Sequence, residues 1–304
     1  MTVWSRRFSL AHVTDDRRPK RVAETVRLLI SCPVIRKRIR HMSFDRYETL
    51  AVTRDGAVLV IGLNRPDKRN AFNREMIGEL AEVLGKLDSD DELRVGVLYG
   101  EGKGFTSGLD LPDVAPSLQD GSLQIPEGGI NPWQVDGRRL TKPLVTAVHG
   151  KCLTLGIELL LASDIVVASE SATFAQLEIA RGIYPFGGAT PRFPRVAGWG
   201  NAMRWMLTAE EFDSAEALRI GVVQEVVDDG AHIARAVQLA HVIAAQAPLG
   251  VQATLRSARL AQRDGEAAAE AELVPTIVKL FGTEDSRIGL ESFATRRPAQ
   301  FVGR

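Results

Sequence analysis

The sequence predicts an α/β fold in which short buried strands alternate with helices and the chain ends in a mostly helical region. Three observations favour this class. The chain has 304 residues, 45% of them hydrophobic, which is enough for a sizeable core. Short apolar runs alternate with segments of helical periodicity up to about residue 195. Beyond that point, apolar residues recur mainly at the spacing of helices.

The strands are predicted from short runs of aliphatic and β-branched residues bounded by turn residues. They cover residues 49–53, 57–63, 95–99, 143–149 and 164–168. Asp55-Gly56 separates the first two runs and is the strongest hairpin signal in the chain. We therefore expect the fold to open with a β-hairpin.

The helices are predicted from apolar residues that recur every three or four positions. They cover residues 71–87, 155–162, 196–208, 214–220, 231–247, 249–262 and 266–281. Asn70 is expected to cap the first of them. Residues 110–140 contain four prolines and several glycines, so we expect a long pocket-lining loop without helix or strand.

Charge is unevenly distributed, although the net formal charge is zero. The first 40 residues contain eleven Arg or Lys and three acids, a net of +8, so the remainder carries −8. We expect residues 1–41 to be a basic arm, disordered or loosely docked, or an over-extended start that precedes Met42. A transit peptide is the third alternative, and the acidic residues in this segment disfavour it. Because the basic excess is confined to this arm, nucleic-acid binding is not expected.

The cysteine content and the length of the apolar runs limit the compartment. Cys32 and Cys152 provide neither a zinc-ligand spacing nor a disulfide framework. A reducing, cytoplasmic location is therefore predicted. No apolar run approaches the ~20 residues that a transmembrane helix needs, so no membrane association is expected.

Five segments occur in an order and at a spacing that resemble one enzyme family. They are residues 63–71 (LNRPDKRNA), 104–110 (GFTSGLD), 149–159 (HGKCLTLGIEL), 174–178 (FAQLE) and 297–304 (RPAQFVGR). Together they resemble the crotonase superfamily, the enoyl-CoA hydratase/isomerase family, over roughly residues 45–304.

This resemblance implies an architecture, a substrate and an assembly. The expected fold is a crotonase-type ββα spiral core over residues 42–240, followed by a helical C-terminal region over residues 241–304 that supports trimers or dimers of trimers. The expected substrate is an acyl-CoA thioester, in which coenzyme A is part of the substrate. No metal or redox cofactor is implied.

The resemblance places two catalytic acids at Glu158 and Glu178. Glu158 also stands out in the sequence itself, because it lies in an apolar helix where an unpaired carboxylate is costly to bury. Two close carboxyl groups do not easily ionise together, which suits one as an acid and one as a base. We expect Glu158 to deprotonate water and Glu178 to protonate Cα. The alternatives are a buried Glu158–arginine ion pair and a solvated loop position for Glu178.

The resemblance also implies backbone donors and a coenzyme A site. The N–H groups of Leu109 and Leu155 are expected to bind the thioester oxygen, each worth ~3–4 kcal/mol in a dry site. Leu155 would lie at the start of the 155–162 helix, where free N–H groups favour an anion. Coenzyme A is expected at Lys68, Arg69, Ala71, Leu109, Asp110 and Leu111. The alternative for the two basic side chains is simple solvation.

Two positions depart from the family pattern. Thr154-Leu155-Gly156 stands in place of the usual three glycines. Phe186 stands where hydratases often have glycine and dienoyl isomerases have an acid. Because both glutamates are present and Phe186 cannot carry a proton, we predict an enoyl-CoA hydratase. The alternatives are an isomerase of the same family and a catalytically idle acyl-CoA-binding protein. Four further side chains are expected to be buried and structural: His149, Cys152, Trp133 and Trp199.

Overall fold

The computed structural model describes residues 46–304, and the predictions for residues 1–41 lie outside the described residues. The strands of the described range are β1 Leu50–Asp55, β2 Val58–Leu63, β3 Val95–Gly100, β4 Leu144–Val148, β5 Lys151–Leu153, β6 Ile165–Ser169, β7 Thr173–Ala175, β8 Glu211–Asp213 and β9 Glu225–Val227. Its α-helices are α1 Arg74–Ser89, α2 Leu111–Gln119, α3 Leu155–Leu160, α4 Ala189–Ala197, α5 Trp199–Thr208, α6 Ser214–Arg219, α7 His232–Ala244, α8 Pro248–Asp264, α9 Glu266–Phe281 and α10 Glu284–Thr295.

Six of these strands form a central sheet in the order β1-β2-β3-β4-β6-β9. β1 and β2 pair antiparallel around the predicted turn, where Gly56 has a φ of 61° that suits glycine. All other neighbours in this sheet are parallel. Parallel neighbours need crossover connections, and α1 and α3 lie in two of them. The predicted hairpin and the α/β class are both confirmed.

The two faces of the central sheet are covered differently, as expected for buried parallel strands. On one face, α7 presents Ala236, Ala240 and Ala244, spaced one helical turn apart, to the valines of the sheet. These small side chains allow the helix to approach closely. The other face carries larger side chains and shares one core with α1 and α3. This larger core surrounds the glutamate-bearing segments.

A second, smaller sheet positions those segments. Its order is β5-β7-β8, and β5 and β7 are parallel with Leu153 opposite Ala175. The chain leaves β5 for α3 and leaves β7 for a 3-10 segment at Glu178–Arg181. Because parallel strands end at the same edge of a sheet, the residues that follow them come together. The N–H of Thr154 donates to the carbonyl of Ala175 at 2.9 Å and joins the two exits.

The first long helix begins later than predicted. α1 starts at Arg74 instead of residue 71, and Asn73 is its N-cap, accepting a hydrogen bond from the Met76 N–H at 3.0 Å. Asn70 has a φ of 52°. Its amide donates to the carbonyls of Glu101, Gly104 and Phe105. The predicted cap was wrong because both asparagines suit a cap, and only contacts distant in sequence distinguish them.

Two other predictions of helix and loop are wrong. The segment 110–140 contains α2, in which Pro112 lies in the first turn and Pro116 gives up a single internal hydrogen bond. The predicted 196–208 helix is instead divided at Gly198, whose φ of 77° ends α4 and precedes α5. Proline was overrated as a helix breaker in the first case, and an isolated glycine was underrated in the second.

The C-terminal region contacts the central sheet near the first residues of β3 and β6. Arg259 of α8 donates to the Asp164 carboxylate at 2.7 Å, next to the start of β6. Arg94, next to the start of β3, donates to the Phe301 carbonyl at 2.6 Å. These long-range bonds attach the helical region to the sheet. The proposed division near residue 240 stays a prediction.

The last helix, α10, was not among the predicted helices. Thr283 caps it by accepting from the Ser286 N–H at 3.1 Å. The buried Asp285 carboxylate accepts from the N–H groups of Val302 at 2.6 Å and Gly303 at 3.0 Å, which attaches the final residues to the helix. Within residues 46–304, no helix is long and apolar enough to cross a membrane.

Candidate active site

Glu158 lies at the centre of the candidate site. It belongs to α3, all six residues of which are buried, and its own side chain is 0% exposed. Its Oε1 accepts a hydrogen bond from the N–H of Ala189 at 2.9 Å. Its Oε2 has no hydrogen-bond partner among the described residues. A buried, unpaired carboxyl oxygen costs about 1–3 kcal/mol, so it indicates a task other than stabilising the fold.

The backbone N–H groups at the start of α4 surround the Glu158 carboxyl group. Burial raises the pKa of this carboxyl above its ordinary value, and the backbone N–H groups of Ala189, Gly187 and Gly188 and the charge of Arg192 offset only part of that rise. Within residues 46–304, Glu158 forms no ion pair with an arginine, which was the predicted alternative. The Arg192 guanidinium donates to the carbonyl oxygens of Trp133 (2.6 Å) and Gln134 (2.8 Å). Glu158 is thus held mainly by backbone dipoles at the N-terminus of a helix.

Glu178 occupies a second buried position. It begins the 3-10 segment after β7, and its side chain is 4% exposed, which excludes the alternative of a solvated loop acid. Its Oε1 lies 3.4 Å from the Gln176 amide nitrogen, and its Oε2 is unpaired within residues 46–304. Burial, and next the charge of Glu158, raise the pKa of Glu178 to about 7. The two carboxyl groups are therefore close enough to interact.

This arrangement is chemically asymmetric. The Glu158 carboxylate receives backbone N–H donors that stabilise its charge. Glu178, with a pKa of about 7, is largely protonated below that pH. Burial raises the pKa of both groups, and two close carboxyl groups that do not readily ionise together can act as base and acid in one site.

The two predicted backbone donors have free N–H groups. Leu155 is the first residue of α3, and Leu109 follows the glycine-rich loop, where it forms an isolated bridge with Phe72. In that bridge the Phe72 N–H donates to the Gly108 carbonyl, and the Phe72 carbonyl accepts from the Asp110 N–H. The N–H groups of Leu109 and Leu155 have no acceptor in the described part of the chain. Each can therefore bind a ligand oxygen.

Thr154 connects the two loops that carry these donors. Its φ of 52° and ψ of −118° fall in a region that side chains disfavour and glycine tolerates. A Cβ added to Gly108 would overlap the Thr154 hydroxyl, so the threonine packs directly on the glycine backbone. Gly108 and Thr154 each precede one of the two donors, Leu109 and Leu155. The usual glycine is thus replaced by a strained residue at this position.

The predicted coenzyme A residues lie on two adjacent loops. Lys68 and Arg69 are exposed on a 3-10 turn, and Leu111, which begins α2, is about one-third exposed. Ala71 and Asp110 are joined by Arg65, which donates to the Ala71 carbonyl at 2.5 Å and to the Asp110 carboxylate at 3.2 Å. The Asp110 carboxylate is therefore already engaged, and its backbone is the part available to a ligand.

Sequence reasoning missed several residues that position this site. Arg65 lies within the LNRPDKRNA segment but received no role in the prediction. Asn70 was predicted as a helix cap, and it braces the glycine-rich loop instead. Trp133 donates its indole N–H to the Leu155 carbonyl at 2.9 Å and so holds the start of α3. No local pattern identifies the Arg65–Asp110, Asn70–Gly104 and Trp133–Leu155 contacts, because they span 22 to 45 residues of chain.

The four residues expected to be structural and buried divide into three groups. Trp133 and Cys152 are buried, as predicted. His149 is only partly buried and stacks on His232 with ring centroids 4.7 Å apart. Trp199 is 72% exposed, so its prediction is wrong. Trp199 is the first residue of α5, and the spacing of apolar residues along this helix does not show which of its faces packs on the core.

Comparison with known proteins identifies the family of this chain. A family model described as Enoyl-CoA hydratase/isomerase matches residues 53–304. The chain belongs to the enoyl-CoA hydratase/isomerase family. Membership in this family, the crotonase superfamily, confirms the resemblance seen in the sequence motifs. Among the residues the structure describes, no group of three or more His, Cys, Asp or Glu side chains could hold a metal ion.

Individual members of the enoyl-CoA hydratase/isomerase family share most of the chain. Enoyl-CoA hydratase EchA19 of Mycobacterium tuberculosis is 35% identical over 257 residues, covering 83% of this chain and 96% of that protein. The 1,2-epoxyphenylacetyl-CoA isomerase of Escherichia coli is 34% identical, covering 81% and 95%. A crystal structure of a probable enoyl-CoA hydratase/isomerase from Mycobacterium abscessus has 66% identity and a TM-score of 0.84, covering 85% of this chain and all of that one. The expected crotonase-type fold is thereby confirmed.

Proposed function

We propose that this protein is an enoyl-CoA hydratase that adds water across the 2,3-double bond of an enoyl-CoA thioester. The observation that carries the proposal is the interacting pair of buried carboxyl groups, Glu158 and Glu178. One receives backbone N–H donors, and the other has a pKa of about 7. Hydration needs one base and one acid, and this pair supplies both.

The proposed reaction uses each group once. Glu158 accepts a proton from water as the water oxygen bonds to C3 of the thioester. Electron density moves to the thioester oxygen, where the N–H groups of Leu109 and Leu155 stabilise it. Protonated Glu178 then donates its proton to C2, which completes the addition. Glu158 suits the role of base because its carboxylate already has backbone donors.

The loops around the donors are the proposed coenzyme A site. The backbone of residues 68–71 and of residues 109–111 would contact the ligand, with Lys68 and Arg69 exposed beside them for its phosphates. Coenzyme A is part of the substrate in this proposal. The reaction as written needs no metal or redox cofactor.

The alternative within the family is an isomerase that moves the double bond, and the description of the matching family model, Enoyl-CoA hydratase/isomerase, favours keeping it. Moving a double bond needs a proton to leave one carbon and return to another, which a single carboxyl group can do. Water addition needs both carboxyl groups. The contribution of Glu158 to turnover therefore distinguishes the two reactions.

A substrate panel with two matched variants tests the proposal. Purified protein is mixed with enoyl-CoA thioesters of increasing chain length, and hydration is followed as loss of enoyl-thioester absorbance. We expect Glu158→Gln and Glu178→Gln each to lower kcat by about 10²–10⁴-fold while binding of a saturated acyl-CoA persists. A loss only in Glu178→Gln favours the isomerase. Thioesters that bind without hydration at every length favour an idle binding protein.

The proposed assembly is a trimer or a dimer of trimers formed through residues 241–304. Helix α9 exposes five large apolar side chains that no residue of the described chain covers: Leu273, Val274, Ile277, Val278 and Phe281. Contiguous exposed apolar residues of this kind are typical of protein contacts. Light scattering of the full chain at several concentrations tests this; a monomer at all concentrations contradicts it.

A further inference from the structure

Gly187 lies against two residues of the candidate site. A Cβ placed on this buried glycine would lie 2.6 Å from Cδ2 of Leu155 and 2.8 Å from Oε2 of Glu158. Both distances are well inside the ordinary contact distance between heavy atoms. The leucine methyl and the carboxyl oxygen therefore lie next to each other against the Gly187 backbone, a packing that is possible because residue 187 has no side chain.

Both residues that pack against Gly187, Leu155 and Glu158, belong to α3. Leu155 and Glu158 are three positions apart, so their side chains lie on the same face of the helix. The Trp133 indole holds the Leu155 carbonyl at 2.9 Å, which fixes the first turn of the helix. The Leu155 side chain is 2% exposed, so its position is set by packing. The leucine is therefore a rigid wall beside the unpaired oxygen of Glu158.

That oxygen is where water must be activated if the protein is a hydratase. The water lies within hydrogen-bond reach of Glu158, and C3 of the thioester lies next to the water. C3 and its substituents must then occupy the volume that borders Oε2. One side of that volume is closed by the Leu155 methyl. A second carbon substituent on C3 would compete with the methyl for space.

We infer that Leu155 and Gly187 form a complementary pair that selects enoyl thioesters with no branch at C3. This inference rests on the proposed hydratase function. The leucine provides the wall, and the glycine leaves room for the leucine. The Leu155 side chain thus determines specificity, in addition to the proposed role of its backbone N–H. A side chain that only filled the core would affect folding and leave selectivity unchanged.

The test compares two substrates that differ by one methyl group. Crotonyl-CoA and 3-methylcrotonyl-CoA are assayed with the unmodified protein, Leu155→Ala and Leu155→Val. The matched control is Leu160→Ala, which truncates an equally buried leucine of the same helix, 2% exposed. The ratio of kcat/KM for the two thioesters is compared between proteins, so the lower intrinsic reactivity of the branched substrate cancels.

We expect Leu155→Ala to shift this ratio toward the branched thioester by roughly 10–100-fold and Leu155→Val by several-fold. Leu160→Ala should leave the ratio unchanged. The reciprocal experiment uses Gly187→Ala, whose methyl would collide with Leu155 and Glu158 and lower turnover of both substrates. Adding Leu155→Ala to Gly187→Ala should restore part of that turnover.

The outcomes separate this inference from the proposed function. If crotonyl-CoA is hydrated and the substrate ratio is the same in all leucine variants, the selective role of Leu155 is overturned and the hydratase stands. If no enoyl-CoA is hydrated by the unmodified protein although acyl-CoA binds, the proposed function fails. If Leu155→Ala does not fold, Leu155→Val still decides the question by the same ratio.

Discussion

Replacing Glu178 with glutamine should stabilise the folded protein while removing its proposed activity. The carboxyl group is 4% exposed, and burial together with the charge of Glu158 raises its pKa to about 7 from the ordinary value of 4.5. Below pH 4.5 the carboxyl is protonated in both the folded and the unfolded chain. Between pH 4.5 and about 7 the unfolded chain releases this proton and the folded protein keeps it, so the free energy of unfolding falls as pH rises.

The size of the effect follows from the two pKa values. The difference between 4.5 and about 7 corresponds to roughly 3 kcal/mol, all of it lost above pH 7. Glutamine has a similar shape and no charge to bury, so this pH-dependent loss should be absent. We therefore expect Glu178→Gln to be more stable than the unmodified protein by up to about 3 kcal/mol at pH 8. At pH 5 the pH-dependent part of this gain should shrink to under about 1 kcal/mol.

Urea unfolding at pH 5 and pH 8 measures this difference at fixed protein concentration. The control is Glu170→Gln, which removes the same charge from an exposed position. It should not reproduce the gain at pH 8. A gain for Glu178→Gln that is equal at the two pH values, or a net loss at pH 8, would refute the assigned effect of burial.

Three further predictions concern the surroundings of the site and the C-terminal tail. Thr154→Gly relieves a disfavoured backbone conformation, so the free energy of unfolding in urea should rise by roughly 1 kcal/mol after the entropic cost of glycine; a decrease contradicts the strain. Trp133→Phe removes the donor to the Leu155 carbonyl, which should cost roughly 1–2 kcal/mol and lower kcat in the hydration assay; unchanged stability contradicts this hydrogen bond. Asp285→Ala leaves the Val302 N–H without its acceptor, so carboxypeptidase should remove the last residues faster, and unchanged digestion contradicts this attachment.

Much of the fold could be predicted because it depends on local patterns. The Asp55-Gly56 turn and the apolar runs on either side of it specify a hairpin that needs no distant partner. Sequence alone could not choose between Asn70 and Asn73 as the cap of α1. That choice depends on carbonyl groups about 30 residues away, which attract the Asn70 amide. Likewise, Pro112 argues against a helix at α2 until its place in the first turn is known.

The candidate site divides in the same way. Glu158, Glu178, Leu109 and Leu155 were named from motifs, because each motif is a contiguous stretch of chain that can be recognised without its partners. Their catalytic roles stay predictions until the variants are assayed. The pairing of β5 with β7 accounts for the meeting of Glu158 and Glu178, since it brings together two segments of chain about 20 residues apart.

The sequence by itself determined the family and the α/β class, and it named both candidate acids. Only the tertiary structure decided how those acids differ. Glu158 meets the Ala189 N–H across 31 residues of chain, and the burial of Glu178 depends on the whole core around it. The packing of Leu155 against Gly187 likewise depends on the tertiary structure. Electrostatics and packing depend on which groups are close in space, and a linear pattern records only which groups are close along the chain.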